Sequence, residues 1–418
     1  MSFRASFIQK LLVLYVIIWT ISPPLQIDNI YRFAALGAVG LWFILNIPYN
    51  VRLERIHVLA IVFMLLVIMV ALVESGGQFG KILGMIAYYM LVLAFLIAHS
   101  YKDRWNELSG IIPIVLILLI YFNYQSYQAV ASDPAIARLI VRNDVATYSF
   151  LRRGVGGYGL LYGEVCVFPA VIAWTISAFK HSKIKFFIGA VWAVTYLMFL
   201  FNSGYTIALV TSIVGLIILF FYKRNSIVLA VVITAIMITL LIWLIGYNDG
   251  FRNALLDFFD GTKVAKKIED IYLSIVSTDT ADSIQVRMDT YSASIGTIFS
   301  YPIIGSLWGG EIGVHSTILD TFAKYGIFGG YVFLKIVFDF CFRIKRSPLS
   351  KKDVGFANAT FIVFLLVLLL DAMAYNFVMM MLIVIPVLHN DIVNWRNKDE
   401  HSLDSQPDSV RSLANARY

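Results

Sequence analysis

Charge is what this sequence has least of. Of its 418 residues only 14% are Asp, Glu, Lys or Arg, against roughly a quarter in soluble domains. A water-facing surface needs those residues and a lipid-facing one excludes them, so the composition argues against a soluble enzyme or binding module. Cysteine is nearly absent. Cys166 and Cys341 both fall inside apolar stretches with no CxxC or other metal-ligand spacing, which excludes a disulfide framework and reads as packing. The net charge of +7 is too thinly spread to call for nucleic acid.

Apolar sequence is abundant instead. Hydrophobic residues make up 60%, and 31 Phe, 23 Tyr and 8 Trp suit interfacial belts. Runs of the roughly 20 apolar residues that cross a bilayer core fall at 8–26, 30–48, 57–73, 81–99, 108–129, 159–179, 184–201, 205–222, 226–247, 313–341, 355–372 and 375–392. They predict an all-α polytopic membrane protein of about twelve transmembrane helices. Residues 1–392 form one bundle, and the polar tail 393–418 is expected to be disordered. Arg4 and Lys10 precede the first run and Ser22-Pro23-Pro24 follows it without a small-residue cleavage site, so a retained signal-anchor is expected.

Basic residues set an expected orientation. Arg4 and Lys10, Arg52 and Arg55, Lys102 and Arg104, Lys180 to Lys185, Lys223 and Arg224, and the stretch from Arg343 to Lys352 all fall on one side. The short connections opposite hold only Arg32 and Lys81. The positive-inside rule then puts both termini in the cytoplasm. Two long outward loops, 130–158 and 248–312, break the pattern. The first carries Arg138, Arg142, Arg152 and Arg153; the second carries Arg252, Lys263, Lys266, Lys267 and Arg287. Positive charge held outside against the rule wants an anionic partner.

Local patterning sharpens the second loop. Residues 264–276 place Ile268, Ile271, Tyr272 and Ile275 on one face, an amphipathic helix for the membrane surface or the bundle. A second helix is predicted from Asp282, capped with the help of Gln285 and ending before Pro302. Its expected packing stripe is Ile284, Met288, Tyr291, Ile295 and Ile298. Arg287 borders that stripe beside Tyr291, where it either snorkels to lipid phosphates or is held for a ligand. His315 is the one histidine expected outside, in a first helical turn that favours anions, with Glu311 four residues earlier to orient it. An interface histidine is the plain alternative.

In the first loop Arg152 and Arg153 precede Gly154-Val155-Gly156-Gly157-Tyr158-Gly159. Such glycines either cradle phosphate oxygens or, with Gly163, let a helix pack closely. Glu164 lies one turn into its helix as a structural or a functional carboxyl, and Asp320 and Lys324 are spaced to neutralise one another.

Several of these pieces together resemble the signature of the bacterial O-antigen polymerase and ligase family. They are Val286-Arg287-Met288-Asp289-Thr290-Tyr291, then Tyr301-Pro302-Ile303-Ile304-Gly305, then His315-Ser316, then Lys324-Tyr325-Gly326-Ile327-Phe328-Gly329. The resemblance is specific over about 286–330, covers 150–165 less closely, and is only architectural elsewhere. It implies a GT-C-like bundle in the bacterial cytoplasmic (inner) membrane with its active site facing the periplasm or exterior. It further implies a metal-independent glycosyltransferase without cofactor, using a polyprenyl-diphosphate-linked oligosaccharide as donor and acceptor. Arg287 and Arg152 or Arg153 would bind the diphosphate and His315 would sit at the reacting centre. Tyr291, Glu311, Arg142 and Glu164 stand as supporting candidates. Membrane lipids, a chain-length regulator and a flippase of the same pathway are the implied partners. Ligases of the family show His-Asn where this chain has His315-Ser316, which tilts the expectation towards a repeat-unit polymerase. Ligation onto a lipid A core or another acceptor is the alternative reaction. A secondary transporter or lipid-linked oligosaccharide flippase is the alternative class, weakened by the short link at 180–183, where two-halves transporters carry their long connection.

Overall fold

A computed structural model describes residues 3–46, 55–75, 86–101, 104–133, 136, 140, 148–221, 232, 236, 239–241, 243–261, 263–276, 282–308, 310–346, 354–372 and 374–404. Among them every regular element is helical. The elements are α1 (Phe3–Ile21), α2 (Pro23–Ile27), α3 (Asn29–Asn46), α4 (Arg55–Ser75), α5 (Ile86–Ser100), α6 (Ile111–Ser132) and α7 (Tyr148–Arg152). Then come α8 (Tyr158–His181), α9 (Lys183–Ser203), α10 (Thr206–Phe221), α11 (Asp249–Phe258), α12 (Lys263–Val276) and α13 (Asp282–Ser300). The last are α14 (Thr317–Arg346), α15 (Val354–Leu370), α16 (Tyr375–Met379) and α17 (Ile385–Asp404), with a π turn over Met380–Val384 joining α16 to α17.

Four stretches are long and apolar enough to cross a bilayer: Ile111–Ser132, Tyr158–His181, Lys183–Ser203 and Thr317–Asp339. Shorter apolar helices accompany them, among them Val58–Glu74, Ile207–Phe220 and Gly355–Leu370. An all-helical bundle of this hydropathy is a membrane protein. Most of the expected span at 226–247 lies outside the described residues, as do Arg138 and Arg142.

Helix α8 is the axis of the bundle. It packs against α9, α10, α15, α16 and α17, and is apolar nearly all round. Glu164 is the exception. It is buried between α6, α8 and α9, where one carboxylate oxygen accepts from Asn123 Nδ2 (2.7 Å) and Trp192 Nε1 (2.9 Å). Its other oxygen has no partner among the described residues.

Both loop helices predicted from 264 and 282 are present. Val264 and Ile268 are buried and Tyr272 packs beside them against Ile245, Phe251 and Leu255, so α12 lies on the bundle. Arg252 of α11 stands over the Tyr272 ring, 3.8 Å from its centroid, and pairs with Asp249. On α13 the expected apolar stripe is not the packed one. Met288 and Ile295 are exposed, whereas Ser294 and Thr297 are buried. The polar face packs because the segment that follows offers backbone hydrogen-bonding groups to it. The tail also differs from expectation: α17 continues to Asp404, with Trp395 packed on Trp174 and stacked on His181.

Candidate active site

Helix α13 holds the following chain down by a ladder of side chains one turn apart. Thr297 Oγ1 donates to the Glu311 carbonyl (2.6 Å), and Ser294 Oγ accepts the Gly313 N–H (2.9 Å). A Cβ on Gly313 would lie 2.0 Å from the Thr290 carbonyl oxygen, so only glycine allows this approach. Val314 then adopts φ 59°, a left-handed conformation that a β-branched residue rarely takes. His315 follows directly.

His315 is not in a helical turn. Ser316 caps α14: its hydroxyl accepts the Leu319 N–H (3.2 Å), and its own N–H donates to Asp320 Oδ2 (3.0 Å). This reciprocal arrangement resembles a capping box displaced by one residue. It leaves His315 just ahead of the helix, and Glu311, exposed in non-helical chain, is not stacked below it. Asp320 also accepts from Ser294 Oγ (2.6 Å), while Lys324 pairs with Glu74 of α4 (2.6 Å). Asp320 and Lys324 therefore do not neutralise one another, because each has a nearer partner on another element.

The glycine motifs meet in space. Helix α14 is broken at Gly326 (φ 68°, ψ −178°), and the Ile327 N–H freed there donates to the Pro302 carbonyl (2.7 Å). A Cβ on Gly326 would lie 2.1 Å from the Ile303 oxygen, and one on Gly305 2.6 Å from the Lys324 oxygen. The Pro302–Gly305 turn is thus seated backbone to backbone in the kink of α14.

The end of α15 completes the site. A helix C-terminus leaves carbonyls without intrahelical donors, and here other elements supply them. Arg287 Nη1 (3.1 Å) and Tyr291 Oη (3.0 Å) both donate to the Leu370 carbonyl. Thr317 donates to the Asp371 carbonyl through its N–H (3.0 Å) and hydroxyl (3.1 Å), and Tyr158 Oη donates to the Ala372 carbonyl (2.9 Å). The remaining N–H groups of Arg287 make no hydrogen bond among the described residues.

Asp371, in the break after α15, is buried, and its carboxylate accepts the Ala372 N–H (2.9 Å). The Tyr162 hydroxyl and the charges of Arg287 and His315 lie in electrostatic range of this carboxylate, at one end of the bundle. No cluster able to hold a metal is found among the described residues.

Of the sequence candidates, Arg287 and Tyr291 meet at the Leu370 carbonyl, and Arg287 and His315 both lie in electrostatic range of Asp371. Arg152 and Arg153 are exposed at the end of α7 and contact none of Arg287, Tyr291 and His315. Glu311 contributes its backbone carbonyl, and its carboxylate makes no contact among the described residues. Glu164 belongs to the interface of α6, α8 and α9. Asp371, Tyr158 and Tyr162 are not among the sequence candidates; the available signal for Asp371 was an ionisable residue at the end of the apolar run 355–372. No family model matches this chain, and no curated protein is similar enough to count as a relative.

Proposed function

We propose that the protein is a polysaccharide repeat-unit polymerase of the O-antigen, capsule or exopolysaccharide kind. It would transfer a glycan from polyprenyl diphosphate to a sugar hydroxyl of another lipid-linked repeat unit, on the outer face of the bacterial cytoplasmic membrane. The observation that carries this reading is the convergence of Arg287, His315 and Asp371 at one end of a membrane bundle.

The acceptor oxygen forms a bond to the anomeric carbon as that carbon's bond to the diphosphate oxygen breaks. The electron pair leaves with the diphosphate, and Arg287 stabilises the growing negative charge through its free N–H groups. The acceptor proton passes to His315, which has the Asp371 carboxylate in electrostatic range. Imidazole suits this role because its charge changes near neutral pH, and a carboxylate stabilises the imidazolium that forms. The leaving group is already activated, so the scheme needs no metal.

Ser316 separates polymerase from ligase less well than its motif position implies. Its role here is to cap α14, and Asn caps helices equally well. The acceptor therefore decides. Purified protein in liposomes with excess chelator, given lipid-linked repeat units alone, is expected to produce a ladder of chain lengths. A single transfer that appears only when lipid A core is added would make the enzyme a ligase.

A further inference from the structure

Arg32, at the start of α3, projects into a cavity of about 370 Å³ that is separate from the Arg287 contacts. Its Nε is buried without a hydrogen-bond acceptor, and its guanidinium makes no hydrogen bond or ion pair among the described residues. No carboxylate is among the described residues that line the cavity. An uncompensated cation in a partly desolvated pocket is costly, and an anion relieves that cost. The far wall supplies further donors. Helix α8, 24 residues long, begins at Tyr158 in this wall with no side-chain cap and no acid in its first turn. Asn376 adds an amide, whereas the Gln26 amide already donates to the Trp19 and Thr20 carbonyls. Beside Arg32, Ile30, Tyr31 and Phe33 are exposed (77%, 41% and 58%), a wall suited to lipid chains.

We propose that this cavity binds the diphosphate head of a polyprenyl-linked substrate, with the polyprenyl chain running along α3. The proposal rests on the polymerase reading, in which donor and acceptor both carry such a head and two subsites are required. Tyr158 joins them: it lines the cavity and donates to Ala372, next to Asp371.

The test uses full-length protein in phosphatidylcholine nanodiscs titrated with farnesyl diphosphate, with bound copies counted by native mass spectrometry. Wild type is expected to take up two, and Arg32→Gln and Arg287→Gln one each. Affinity at the lost site should fall about tenfold or more, as expected for a charge-assisted contact. Arg32→Lys should recover part of the binding and melt like wild type, which separates lost charge from lost fold. Inorganic diphosphate should compete, and phosphatidylglycerol at equal concentration should not. Unchanged uptake of two copies by Arg32→Gln would overturn the proposal, as would phosphatidylglycerol displacing farnesyl diphosphate from the Arg32 site. If Arg32→Gln loses a copy while Arg287→Ala still polymerises, the cavity stands and the reaction centre falls. If Arg32→Gln keeps both while Arg287→Ala is inactive, the reverse holds.

Discussion

Three consecutive carbonyls at the end of α15 are claimed by side chains from three other helices, and Arg287 is one of the claimants. Its charge is also suited to the negative end of a helix dipole. Arg287 thus has a structural duty as well as the proposed catalytic one, and the two separate by substitution. Arg287→Lys keeps the charge and loses the planar fork. It is expected to fold with a thermal midpoint near wild type while transfer falls at least tenfold. Asp371 is tested by removing its charge: Asp371→Asn keeps the size of the side chain and is expected to lower transfer at least tenfold with a thermal midpoint near wild type, as activity assays and melting curves would show. Arg287 and His315 were legible because their spacing to neighbouring motifs is distinctive. Asp371 was not, since an acid where an apolar run stops reads as an interface anchor. Its burial depends on Tyr162 and on elements distant in sequence.

Helix bounds around α12 and α13 followed from periodicity, capping and Pro302, all of which are local properties. The packed face of α13 did not. Hydrophobic periodicity assumes that an apolar stripe finds apolar partners, and here the partner is bare backbone at 310–316, so Ser294 and Thr297 are buried instead. The joint between Gly305 and Gly326 is of the same kind: each glycine stood out in the sequence, but their contact is tertiary. Adding a methyl at Gly326 combines a positive φ with a Cβ 2.1 Å from the Ile303 oxygen. Left-handed strain alone costs about 1–3 kcal/mol. Gly326→Ala should therefore lower the thermal midpoint by several degrees and, by shifting the segment before His315, reduce transfer more than it reduces stability. Val314→Gly should do the opposite to stability, raising the midpoint, because glycine accepts φ 59° without strain.

Scarce charge and long apolar runs made a membrane bundle readable from composition alone. Partner choice inside it was less readable. Glu164, isolated in sequence, fastens α6 and α9 to the central helix through a single oxygen. Glu164→Gln keeps that oxygen and should leave folding and transfer within a few-fold of wild type. Glu164→Ala orphans two buried donors and should cost about 2–5 kcal/mol in unfolding measurements. The polar segment after 393 looked unable to fold because composition counts only its own residues. It is helical to Asp404, and Trp395 within it packs on Trp174 and His181 of α8. The proposed reaction centre lies at the end of α8 that begins with Tyr158. Transfer by wild type, Arg287→Ala and His315→Ala protein, each shown to be folded and placed in liposomes with lipid-linked repeat units, tests this centre most directly. A polymer ladder from wild type with at least a hundredfold loss in both variants is the predicted result, and ladders of equal yield from all three would contradict it.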